Sequence, residues 1–166
     1  MKNLSVFLLS LLLTLTVSAY AQFNYSSIAG PVIAFASNQD AGVFQVFVMK
    51  ANGTKQSQLT NAPAYNARPN WSHDGRKITF TTCRPPDCEI YVMNADGSGQ
   101  TDVSNNPATE QMSVWSPDDS KIAFVSNRDG LNQIYVMNAA DGRSQRRITN
   151  DSFYDADPAW TNTVLK

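Results

Sequence analysis

Few residues in this chain could do chemistry: two cysteines, Cys83 and Cys88, one histidine, His73, and scattered carboxylates. The cysteines bracket residues 84–87. If the flanking segments pair as antiparallel strands, the two side chains face each other within disulfide reach. A C-x4-C pair with one histidine elsewhere is a poor zinc site. A structural disulfide formed in an oxidising compartment is therefore favoured over a metal or redox pair. His73 stands before Asp74 and Gly75. A catalytic His-Asp pair would need a nucleophile brought to it, and neither G-x-S-x-G nor H-E-x-x-H is present. His73 reads as a solvated turn residue, with the Asp74 and Asp118 carboxylates closing local turns.

A third group of polar residues stands before the tryptophans. Five residues ahead of Trp71, Trp115 and Trp160 are Asn66, Glu110 and Asp155, each preceded by Tyr65, Thr109 or Tyr154; three residues ahead are Arg68, Met112 and Asp157. The period-2 rule puts the positions three and five residues ahead on one strand face. Their chemistry depends on whether the copies meet in space, which is a question about the elements that carry them.

Those elements repeat. The tryptophans are spaced 44 and 45 apart, Phe35, Phe80 and Phe124 by 45 and 44, and Met49, Met93 and Met137 by 44 and 44. Turn pairs at 52–53, 96–97 and 141–142 keep the step, as do the Leu/Val/Ile-Thr/Ser-Asn tripeptides ending at Asn61, Asn105 and Asn150. Residues 78–81, 90–93, 122–125 and 134–137 are short β-rich runs between turn residues, and a weaker strand ends at each tripeptide. One repeat is thus a four-stranded antiparallel meander, with almost no helix expected after residue 22. A four-stranded unit of this length headed by an aromatic fits a propeller blade. The tryptophan, Tyr/Phe and methionine stripes are expected between blades, as core.

Residues 115–130 and 133–138, beginning Trp115-Ser116-Pro117-Asp118, closely resemble the repeat of TolB-like β-propeller proteins, and the resemblance extends from residue 32 to about 161. It implies an all-β propeller fold with repeats at 32–67, 68–111 and 112–156 and a closing strand at 157–162. The first copy begins at its second strand, and the last segment is a first strand without a blade, a velcro arrangement. Three blades fall below the usual four to eight. The readings left open are a piece of a longer propeller, an open array, or a homodimer that exchanges end strands to complete a six-bladed ring. In a propeller the segments before each tryptophan would gather at the channel mouth, so Tyr65, Asn66, Arg68, Glu110, Tyr154, Asp155 and Asp157 form a candidate site for a cation, sugar or peptide end. The competing reading is that they satisfy backbone groups at turns. Loops 38–42 and 127–130 have calcium-loop composition without EF-hand ligand spacing. No cofactor is expected, although the channel leaves room for a cation such as calcium.

Residues 1–21 read as an export signal: Lys2, an apolar run from Leu4 to Val17, and a small-residue cleavage site after Ala21. Residues 22–31 would be a linker. Without Lys2 the chain has 12 basic against 14 acidic residues, so nothing argues for nucleic acid, or for a membrane after cleavage. The combined expectation is a periplasmic or secreted binding module for an envelope protein or polysaccharide, more a binder than an enzyme. The alternatives are a carbohydrate-active lyase- or hydrolase-like propeller, or a truncated propeller without independent function.

Overall fold

The computed structural model describes residues 30–39 and 42–162. The export signal and most of the linker lie outside the described residues. Eleven strands and no helix make up the described chain. The first sheet has three strands, β1 (Val32–Ser37), β2 (Gln45–Lys50) and β3 (Ser57–Gln58). The second has four: β4 (Tyr65–Trp71), β5 (Lys77–Arg84), β6 (Asp87–Asn94) and β7 (Thr101–Asp102). The third repeats the second with β8 (Glu110–Trp115), β9 (Lys121–Ser126), β10 (Gln133–Asn138) and β11 (Arg146–Arg147). All pairings are antiparallel between consecutive strands. Each blade thus opens three or two residues before the repeat boundaries expected at 68 and 112.

The register repeats with the sequence. Phe35 lies opposite Phe47, Phe80 opposite Tyr91 and Phe124 opposite Tyr135, with ring centroids 5.7, 5.7 and 5.8 Å apart. Such cross-strand aromatic pairs stabilise a sheet face. The apolar core is not inside any one sheet but between sheets. One cluster joins Val46, Val48 and Leu59 of the first sheet to Ile78, Phe80 and Met93 of the second, with Trp71 packed against it. The other joins Ile90, Val92 and Val103 to Trp115, Ile122, Phe124 and Met137. Glycine makes the close approach possible at Gly142, where an added Cβ would stand 1.9 Å from the Val103 carbonyl oxygen.

Cys83 lies directly opposite Cys88 at the end of the β5–β6 hairpin, and the two are joined in a disulfide with Cα atoms 4.0 Å apart. The expected closing strand does not pair: among the described residues, 157–160 belong to no sheet, and β1 has a partner on one edge only. The chain ends are complementary by sequence, but a single chain does not join them.

Candidate functional site

Each complete blade begins with an edge strand, β4 or β8, and these two strands lie against each other. Both are bulged. Pairing slips between Ala67 and Asn70 in one and between Gln111 and Val114 in the other. At the bulge Arg68 has φ 55° and Met112 φ 57°, and Asp157, the equivalent residue of the third copy, has φ 51°. Left-handed backbone at a residue with a Cβ costs on the order of 1 kcal/mol and persists where the surroundings enforce it. Because one geometry recurs under three unrelated side chains, the backbone shape belongs to the blade, and the side chain is free to serve something else.

The two bulges and the left-handed Asp157 meet at an open cavity of about 500 Å³ lined by Arg68, Pro69, Asn70, Met112, Ser113, Val114, Asp157 and Pro158. The Trp115 indole N–H donates to the Asn70 carbonyl at 3.1 Å, tying the two bulged strands together. Arg68 and Asp157 are exposed. Ser113 is buried, and its hydroxyl has no hydrogen-bond partner. A guanidinium and a carboxylate, both exposed on one concave wall, can bind a polar chain that carries a carboxylate, with Arg68 offering a two-pronged donor.

Of the seven expected site residues, Arg68 and Asp157 line this cavity; Tyr65, Asn66, Glu110, Tyr154 and Asp155 do not. Tyr65 packs on Phe44, ring centroids 5.5 Å apart, and Tyr154 is 73% exposed outside the cavity. Asn66, Glu110 and Asp155 enter a different repeated device. In the first copy Gln45 Oε1 accepts from the Thr60 hydroxyl at 2.8 Å and from Asn66 Nδ2 at 3.0 Å, while Asn66 Oδ1 accepts from Thr82 at 2.9 Å. This buried node ties the third and fourth strands of one blade to the first two of the next. Forty-four residues on, the node is Glu89, Ser104 and Glu110. The Ser104 hydroxyl donates to Glu89, and Glu110 Oε1 accepts from Ser126 at 2.7 Å and from Arg128 at 3.3 Å. The third node has Thr149 donating to Gln133 at 2.8 Å, and the Asp155 backbone N–H donates to the carbonyl of Asn132, next to Gln133, at 2.9 Å.

The positions part because the bulge resets the period of two. Residues five ahead of Trp71 and Trp115 precede the bulge and enter the nodes; residues three ahead sit on it and line the cavity. The competing reading, that these polar groups satisfy backbone groups at turns, fits Asn66, whose amide donates to the Ala64 carbonyl at 3.1 Å, whereas Glu110 accepts from the side chains of Ser126 and Arg128.

Two carboxylates share the middle node where the first has two amides. Burial pushes the Glu89 carboxyl up to about 7; the Ser104 hydrogen bond opposes this, and the charges of Asp102 and Glu110 add to it. Glu110 is fully buried, and its Oε2 has no partner. Arg128 lies over the Tyr135 ring, 4.7 Å from its centroid, a cation–π contact. Burial, with a hydrogen bond to Asp129, pushes the Tyr135 phenol up to about 12.

His73 is more than a solvated turn residue. Its backbone N–H and that of Asp74 donate to Asp119 at 2.8 and 2.9 Å, and its Nδ1 lies 3.1 Å from the same carboxylate, which clamps the second blade to the third. The expected turn bonds also form: Asp74 Oδ1 accepts from Ser72 and the Arg76 N–H. Asp118 accepts from Ser116 and Ser120, which holds it down at about 2. Ser113 and the Gln45, Glu89 and Gln133 series escaped the sequence reading, although the series keeps the 44-residue step.

Residues 83–164 match the TolB beta propeller domain family. The chain is similar to a solved TolB structure from Agrobacterium tumefaciens, with 28% identity and a TM-score of 0.68 over 75% of this chain and 44% of that one. TolB from Acinetobacter baumannii is 21% identical with a TM-score of 0.63, over 76% of this chain and 34% of that one. An oligogalacturonate lyase in complex with manganese is 18% identical, TM-score 0.51, over 64% and 30%. The chain spans less than half the length of each. A search of curated proteins returned no match.

Proposed function

Since this chain is built from TolB-like β-propeller repeats, we propose that it is an exported binding module whose axial cavity holds a carboxylate-bearing segment of a protein or glycan. The observation that carries this reading is the convergence of three left-handed residues, Arg68, Met112 and Asp157, on one cavity. Arg68 would fork onto the carboxylate, and Asp157 would accept from ligand N–H or O–H groups. The Cys83–Cys88 disulfide supports an oxidising compartment, periplasmic or extracellular. The lyase-like alternative calls for a histidine or metal cluster at the channel. Among the described residues, His73 is instead held by Asp119, and no group of three or more metal-ligating side chains assembles.

Titration calorimetry with oligogalacturonates and with short peptides bearing a free C-terminal carboxylate tests the reading. Arg68→Gly is the variant to use, because glycine accepts the left-handed backbone at this position. Loss of a charge-assisted contact of about 1.5–3 kcal/mol lowers affinity tenfold or more. The thermal melt should be unchanged. Equal affinity in the variant, or no binding of either ligand by the wild type, refutes the proposal.

A further inference from the structure

The two outer faces of the array carry the halves of a third inter-blade interface. Residues fully buried at the internal junctions have exposed counterparts at the ends. Ile78 and Ile122 are 0% exposed, but their counterpart on β1, Ile33, is 42% exposed; Leu59 and Val103 are 9% and 8% exposed, but Ile148 is 45% exposed. Trp115 is 3% exposed and Trp160 42%. Exposed apolar side chains in register with buried counterparts mark faces shaped to receive another blade.

The polar contacts repeat the argument independently. Asn66 lies opposite Thr82 and accepts its hydroxyl; Glu110 lies opposite Ser126 and accepts its hydroxyl. The next pair in the series is Asp155 and Ser37, which stand on opposite ends of the chain. Asp155 Oδ2 is buried without a partner, and the Ser37 hydroxyl has only Gln39, at 3.3 Å. Close approach is provided for as well. Gly97 meets Leu59 and Gly142 meets Val103, whereas Gly53, the equivalent glycine of the first blade, meets nothing within 4 Å and is the seat that Ile148 would fill.

We propose that the third-blade face of one chain docks on the first-blade face of a second copy, with 157–160 pairing along the free edge of β1. Two copies doing this reciprocally cover both outer faces and pair the free edge of β1, giving a ring of six blades. The occupant is a second copy because each missing partner, the apolar side chain, the hydroxyl and the glycine seat, is present on this chain's other end.

Light scattering of the oxidised full-length chain after export should give twice the chain mass. Ile148→Arg, at a side chain exposed in the single chain, should give the monomer mass while keeping the strand signature in far-ultraviolet circular dichroism. In the double variant Ser37→Cys, Asp155→Cys the new cysteines occupy directly opposed positions only across chains. A covalent dimer on a non-reducing gel, with that disulfide mapped by peptide analysis, is expected. A monomeric wild type, a dimer that survives Ile148→Arg, or a ladder of larger covalent species overturns the proposal.

Discussion

Glu89→Gln tests the repeated node directly. Position 89 is Glu where the first and third copies have Gln45 and Gln133, and Glu110 occupies the place of Asn66. In the first node the Asn66 amide donates to Gln45; in the second two carboxyls take the places of those amides. Burial, with the charges of Asp102 and Glu110 adding to it, raises the Glu89 carboxyl from 4.5 to about 7. Because the folded value is raised, the contribution of this group is fully present below about pH 4.5 and is lost as pH climbs through about 7. At about 1.4 kcal/mol per unit the shift sets a ceiling of roughly 3 kcal/mol. Glu89 is only partly buried, so screening by water leaves about 1–2 kcal/mol.

Urea denaturation at pH 5, 6, 7 and 8, followed by tryptophan fluorescence at fixed protein concentration, measures it. Trp71 and Trp115 sit at the two blade junctions, so unfolding of the node reaches the probe. The wild-type midpoint should fall by roughly 0.5–1 M urea between pH 5 and 8. The Gln variant should lose most of that slope and be at least as stable at pH 8. A wild type with no slope in this window, or a variant with the same slope, would show that the Glu89 carboxyl is not held up in the folded chain.

Two further changes probe the junctions. Gly142→Ala puts a Cβ against the Val103 carbonyl at a residue whose φ is 68°; we expect a loss of more than about 2 kcal/mol, read as a lower thermal midpoint, and an unchanged midpoint would mean that the third blade is not seated as described. Asp119→Ala removes the acceptor of the His73 and Asp74 N–H groups and should cost about 1–2 kcal/mol; Asp119→Asn, which keeps an acceptor oxygen, should recover part of it in the same melts.

The repeat made most of the fold legible before any coordinates. Tryptophan, phenylalanine and methionine at one step locate strands, because large apolar side chains fill the gap between blades only if they recur in register. The weak fourth strands were legible as well, through the tripeptides that follow β3, β7 and β11. What stayed hidden was parity. Asn66 and Arg68 are two apart and read as neighbours on one face, but the left-handed residue between Ala67 and Asn70 turns the strand over. A bulge of this kind leaves no composition of its own, since Arg68 occupies one and Met112 the other. His73 is an exposed turn residue as its sequence suggests, but its clamp stays hidden for a different reason: its partner Asp119 is 46 residues away, and no local pattern announces a contact between two turns.

Differences among the copies are informative only when sorted by depth. At the nodes, Gln–Asn in the first copy becomes Glu–Glu in the second, but Glu110 is wholly inaccessible, so that difference can change stability and its pH dependence without touching a ligand. At the left-handed positions beside the cavity, Arg68 and Asp157 differ in side chain but share a positive φ, and both remain open to solvent. Packing asks nothing of them that glycine would not supply more cheaply. Side chains kept on strained, exposed backbone around one cavity therefore carry the case for binding, and the buried carboxylates, more conspicuous in the sequence, belong to the joints that hold the cavity in shape.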